Sequence, residues 1–293
     1  MSLLAALAIL ALLPPASSAP WWQAKKVVSF WYAPNNDWQQ AVALVAAHAL
    51  SNVSTSVMSY CGLDIRDDGT IVPAFSPVCA SLLPALRAAG VEAELVTNSG
   101  NCSIAAMRRL WADLTVSPRV LGDAVRAAAA SGLNIDFEPQ ADNCKGAPTG
   151  DAADAVAFAA WLGAVRAAVA PARLTVDVAS WSPVLREYAT LARGADRLLD
   201  MSTYNGASAA DFEAQLDPFL AGAPLAAAGV GLGAWQDAAP AWWSSAAGAA
   251  AKVAACVARR VPELALFRID VSVTPVWPLE HWWAALAPFL QAD

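Results

Sequence analysis

The sequence predicts a single-domain α/β protein folded as a (β/α)8 TIM barrel, and three observations carry that prediction. Short runs rich in Val and aromatics alternate with Ala-rich amphipathic stretches eight times along the chain. Such alternation is the pattern of parallel strands joined by right-handed crossovers. No shift of composition marks a second domain, and 293 residues suit one barrel of about 250. An open doubly wound sheet would place a Gly-rich phosphate loop after its first strand. The residues found there are Trp31, Tyr32, Ala33 and Pro34.

Each element follows from local pattern. Residues 1–19 combine an apolar run, Leu3 to Leu13, with the small-residue segment 14–19, and read as a secretory signal peptide. The run is shorter than the ~20 residues of a spanning helix, and no later stretch reads as a membrane span. The barrel is expected over 20–293. Strand one is placed at 25–32, followed by a helix that Asp37 caps and that carries Ala41, Leu44, Val45 and His48 at helical spacing. Strand two spans 54–60, a loop rich in Asp and Gly passes 67–69, and a helix lies near 81–89. Strand three is 91–97, with helices at 103–113 and 118–130; strand four lies within 131–139, before a long helix over 151–170. Strand five is 174–181, then a helix over 183–193, strand six at 198–204 and a helix at 209–220. A Gly-broken strand seven (226–235), a helix (241–260), strand eight (264–271) and a closing helix (280–290) complete the count.

Composition excludes several function classes. A hydrophobic fraction of 57% with 15% charge fits a well-buried globular protein. The net charge of -7, with basic residues scattered or in isolated pairs, argues against nucleic acid and anionic membranes. The two histidines, His48 and His281, have no ligand spacing around them, so neither a metal site nor a Ser-His-Asp triad is expected. Five cysteines in a secreted chain allow up to two disulfides. Bridges are expected among Cys61, Cys79, Cys102 and Cys144, in loops near strand ends, with the pairing open; Cys256, in an Ala-rich helix, is expected to be a buried thiol. Asn52-Val53-Ser54 and Asn101-Cys102-Ser103 are sequons compatible with glycosylation. The expected destination is the secretory route, secreted or lysosomal/vacuolar, as a monomer.

Strand four carries the chemistry. Its period of two sends Asn134, Asp136 and Glu138 to one face and Leu133, Ile135 and Phe137 to the other. With the apolar face under helices, the polar face looks into a closed interior. Carboxylates there must be hydrogen-bonded, protonated or open to a ligand. Two crowded acids raise the pKa of one, which then serves as a proton donor while the other steadies positive charge. Glu138, nearest the strand end, is the donor, and the deeper Asp136 is its support.

The segment Gly132-Leu133-Asn134-Ile135-Asp136-Phe137-Glu138 resembles the strand-four signature of glycoside hydrolase family 18, the chitinase family. Ser202-Thr203-Tyr204-Asn205 is similar to that family's strand-six segment, and 96–100 to its strand-three end; the likeness runs over essentially all of the mature chain. The resemblance implies a retaining, substrate-assisted hydrolysis of β-1,4-linked N-acetylglucosamine in oligosaccharides or polysaccharides, an exception to the two-carboxylate scheme. Glu138 would protonate the glycosidic oxygen and later act as base for water. The sugar's own N-acetyl oxygen would attack the anomeric carbon. Asp136 would hold the acetamido N–H, and Tyr204 the acetamido oxygen. No cofactor is implied.

Departures from the signature are Ser131, Asn134, Ser202 and Phe267, the last where the family has a Trp floor. An amide at 134 takes no charge, so Asp136 is expected to stay ionised more readily than in typical chitinases. Asn134 is also similar to the di-N-acetylchitobiase branch. Thirteen tryptophans supply candidate sugar platforms: Trp31, Trp181 and Trp235 end strands one, five and seven, and Trp277 follows strand eight. Trp-Trp pairs at 21–22, 242–243 and 282–283 read as packing. Asn134, Asp177, Trp31, Trp181, Asn205, Trp235 and Phe267 are the substrate-binding candidates. Two other readings share the motif: a chitinase-like lectin that binds without cutting, and an endo-acting deglycosidase of N-linked glycans. Retention of Glu138 favours the enzyme.

Overall fold

A computed structural model describes residues 20–32, 38–47, 54–66, 68–98, 103–139, 149–204, 206–234, 242, 245–269 and 279–291. The leader, both sequon asparagines, His48, Cys102, Cys144, Asn205, Trp235 and Trp277 lie outside these residues.

Eight parallel strands close a barrel in sequence order. They are β1 (Val27–Tyr32), β2 (Ser54–Tyr60), β3 (Glu92–Asn98), β4 (Gly132–Asp136), β5 (Arg173–Val178), β6 (Arg197–Asp200), β7 (Ala228–Gly233) and β8 (Glu263–Ile269). Between them run α2 (Trp38–Ala47), α3 (Pro77–Ala88), α4 (Ile104–Ala112), α5 (Val116–Ala128), α6 (Ala152–Val169), α7 (Tyr188–Leu191), α8 (Ala209–Gly222) and α9 (Ala246–Ala258), with α10 (Leu279–Gln291) after β8. The strand period sorts side chains into two cores. Phe30, Leu133, Ile135, Phe137 and Val176 face the helices in the outer core, while Trp31, Met58, Val96, Leu199 and Ala265 fill the barrel.

Helix ends follow their caps. Ser76, Ser103, Ser208 and Ser245 each accept a backbone N–H at the start of α3, α4, α8 and α9. Asp151 and Asp154 form a reciprocal capping box on α6. Among the described helices α6 is long and apolar enough to cross a membrane, by length and composition alone. Here it buries Phe158, Trp161, Leu162 and Val165 within the outer core.

Four expectations need correction. A short helix, α1 (Trp21–Ala24), precedes β1; its Trp21 ring lies 4.7 Å from the Arg173 guanidinium at the amino end of β5, a contact invisible to local pattern. The helix expected over 183–193 shrinks to the four residues of α7. Strand six stops at Asp200 rather than 204, because residues 201–204 turn back, with Tyr204 N–H bonded to the Met201 carbonyl at 3.2 Å. Cys79 lies within α3 rather than in a loop, and it pairs with Cys61. Cys256 is a buried free thiol, and Trp22 and Trp282 are buried.

The amino end of the barrel is closed by charge. Glu94, Arg173 and Glu263 are fully buried and Arg197 nearly so. Arg173 donates to Glu94 Oε1 at 2.6 Å and to Glu263 Oε2 at 2.6 Å, and Arg197 pairs with Glu263 Oε2 at 2.9 Å. Ser29 and Thr175 hydroxyls complete the set, on Glu263 and Glu94. Barrels ordinarily place their chemistry at the opposite, carboxyl end of the strands.

Candidate active site

At the carboxyl end, β4 delivers its acids as the alternation requires. Asn134 and Asp136 are buried on the inner face, 0% and 2% exposed, and Glu138 follows two residues beyond the last strand residue, half-buried. The Asp136 and Glu138 carboxyls lie within hydrogen-bonding reach of each other. Burial, then the neighbouring Glu138 charge, pushes Asp136 up to about 8. Burial also raises Glu138. Two acids so close share one proton over the neutral range and titrate as a pair.

The other Asp136 contacts come from two residues that the motif search did not name. Tyr60, the last residue of β2, donates its hydroxyl to Asp136 Oδ2 at 2.9 Å. Asn98, the last of β3, donates its amide to the same oxygen at 3.2 Å. Asp136 Oδ1, itself buried, has no hydrogen-bond donor among the described residues. A signal for Tyr60 and Asn98 existed: both are polar groups at the carboxyl ends of barrel strands, the rule that selected Glu138.

This geometry revises the expectation for Asn134. Its amide donates to Asp177 Oδ1 at 2.9 Å, so it supports β5 rather than Asp136. Asp136 is held above the usual carboxylate range by burial, then by Glu138. The Tyr60 hydroxyl acts in the opposite direction, lowering Asp136. A hydrogen bond to a charged group contributes ~1.5–3 kcal/mol, about one to two pH units. Tyr60→Phe is therefore expected to raise the Asp136 titration by that much, followed by carbon NMR of labelled aspartate; an unmoved titration would show that the hydroxyl is not what sets it.

Tyr204 reaches the site from the turn after β6. Its phenol is raised by burial and by Asp177, Asp136 and Glu138, which places all four groups in one cluster. The ring stacks on Phe267 of β8 at 5.0 Å and 16°. It also lies on Gly231 of β7, where an added Cβ would come 2.2 Å from the ring; the missing side chain there makes room for the ring. The Tyr204 carbonyl is fixed by Lys252 Nζ at 2.6 Å. Lys252 is fully buried and pulled down to about 7 by desolvation. It is the only charged residue in α9, a lone cation on an Ala-rich helix that sequence reading passed over.

Of the aromatic candidates, Trp31 is 1% exposed and lies behind Tyr60 and Phe267, 5.3 and 5.8 Å away. Phe267 is half-buried. Trp181, just past β5, is 43% exposed. Asp177 is fully buried and strongly raised by burial, then by the Asp136 charge. No group of three metal-ligating side chains occurs among the described residues.

No protein-family model and no curated protein matches the chain. Solved structures do. A chitinase from Chromobacterium violaceum superposes with a TM-score of 0.71 at 16% identity, over 92% of this chain and 100% of that one. A GH18 chitinase from Pseudoalteromonas aurantia gives 0.64 at 13%, over 90% and 100%. The catalytic domain of a family GH18 chitinase from the fern Peteris ryukyuensis gives 0.62 at 11%, over 90% and 100%. What is shared is the barrel. Identities this low establish fold, and chemistry has to be argued from the site itself.

Proposed function

We propose that the chain is a glycosidase of the family 18 type, cleaving β-1,4-linked N-acetylglucosamine glycans such as chitin oligosaccharides with retention. The observation that carries this reading is the Asp136–Glu138 pair at the barrel mouth, with Asp136 Oδ1 unmatched by any donor among the described residues and Tyr204 in the same cluster. Similarity of the fold to that of chitinases supports it. Glu138, carrying the shared proton, gives it to the glycosidic oxygen as the C–O bond breaks. The acetamido oxygen of the same sugar forms the new bond to C1. Asp136, left ionised, accepts the acetamido N–H at Oδ1 and stabilises the oxazolinium cation. The Tyr204 hydroxyl holds the acetamido oxygen in line. Water then adds to C1 as the bond from C1 to the acetamido oxygen breaks and the acetamide is restored, and its proton passes to Glu138, restoring the pair. The Cys61–Cys79 disulfide supports an oxidising, secretory destination.

The mechanism makes the acyl group a reactant, and that gives the test. Fluorophore release is expected from N-acetylated chitobioside and chitotrioside substrates but not from their deacetylated counterparts, with the first product in the β-configuration. Equal cleavage of both would sink the substrate-assisted step. Binding of the N-acetylated sugars with no turnover would make the chain a lectin.

A further inference from the structure

Behind the reacting pair, the Asn134–Asp177 contact is only half satisfied. Asn134 Nδ2 donates to Asp177 Oδ1 at 2.9 Å, whereas Asn134 Oδ1 and Asp177 Oδ2 both lack a partner among the described residues. Both residues are fully buried. With Asp177 ionised, two buried acceptor oxygens have no hydrogen between them, an arrangement that costs free energy. One added proton repairs it. With a hydrogen on Asp177 Oδ2, the acid donates to Asn134 Oδ1 while accepting from Asn134 Nδ2, the two-bond ring of a carboxylic acid with a primary amide.

We propose that Asp177 is a protonated acid that forms with Asn134 a neutral amide–acid pair, and that this pair keeps a second negative charge away from Asp136 and Glu138. The groups that face Asp177 agree with it. Asp136 and Glu138 at the end of β4 and Glu94 on β3 are acids, and each disfavours an anion at 177. Tyr60 from β2 and Tyr204 after β6 are neutral phenols. The nearest cation on its own strand, Arg173, is spent on Glu94 and Glu263. Asp177 is thus a positioning residue that sets the charge of the site. One of its carboxyl oxygens is committed to Asn134, whereas the sequence expectation placed it among the substrate-binding candidates.

The pair itself is tested without turnover. In the infrared spectrum of protein labelled with 13C-aspartate, Asp136 and Asp200, which titrate at about 8 and about 7, lose their protonated-acid C=O bands as pH rises. A labelled acid band that persists at about pH 9.5 and is absent from Asp177→Asn supports the pair; no aspartic acid band at that pH overturns it. Should Asp177→Asn fail to fold, the wild-type spectrum alone decides. The consequence for the pH profile rests on the glycosidase reading. An amide at 177 preserves the ring and the neutrality, so both limbs stay in place whatever the rate at the optimum. A downward shift of the limbs by more than about one unit would mean that an anion had been removed, and would overturn the proposal. Absence of turnover in the wild type defeats the glycosidase reading and leaves the infrared result standing.

Discussion

Glu138→Gln is expected to lower kcat on an N-acetylated chitobioside by roughly 10²–10⁴, the range contributed by a positioned general acid, with KM changed by no more than a few-fold. Glutamine keeps the volume and the hydrogen-bonding reach of the carboxyl but has no proton to give a departing alkoxide. In the wild type, turnover needs one proton on the Asp136–Glu138 pair, located on Glu138 when the bond breaks. The pair loses that proton as pH rises through about 8, so kcat/KM should fall about tenfold per unit beyond it. The variant has no such proton to lose, and its residual rate should lack this descending limb. Measuring both profiles, with binding of the oligosaccharide followed by calorimetry, checks the assignment. A variant that retains the wild-type rate removes Glu138 from the reaction; one that loses binding together with rate makes its role structural.

What the sequence made legible depended on how local each signal was. The alternation of Leu133, Ile135 and Phe137 with Asn134, Asp136 and Glu138 is a property of neighbours on one strand, and β4 realises it on both faces. The count of strand–helix units was enough for a closed barrel, because each unit carries its own apolar period. Contacts across the barrel were illegible for the opposite reason. The bonds from Tyr60 and Asn98 to Asp136 join residues 76 and 38 positions apart, and the Asn134–Asp177 pair spans 43. Only closure of the sheet brings such groups together, so no window of sequence contains them. Tyr204 was singled out through its motif although its predicted strand was wrong: a turn, and not the period of a strand, brings it beside Asp177, Asp136 and Glu138. Lys252 was hidden by expectation, since a buried lysine on an apolar helix acquires its meaning only from the Tyr204 carbonyl it meets.

The second large effect is on stability, at the end of the barrel opposite the chemistry. Glu263 accepts Arg173 twice, at 2.6 and 3.2 Å, and the Ser29 hydroxyl, and pairs with Arg197 at 2.9 Å. Glu263→Ala is expected to cost ~3–5 kcal/mol, the usual loss when one partner of a buried ion pair is removed and the other charge is left in low dielectric. For a chain of this size that is a fall in Tm of roughly 6–20 °C. Glu94→Gln should cost less. Glu94 holds Arg173 alone, and burial outweighs that attraction enough to raise its carboxyl, whereas Glu263, held between two guanidiniums, is lowered below 4.5. A depressed folded-state value contributes stability that is present above the unfolded value and is lost as pH falls through the folded one. The gap between wild type and Glu263→Ala should therefore be full at neutral pH and should close only in acid, below 4.5. Urea titrations at neutral and acid pH measure it directly. A loss under about 1 kcal/mol at neutral pH, within the range of an exposed pair, would mean that water reaches the floor of the barrel and that its charges do not seal it.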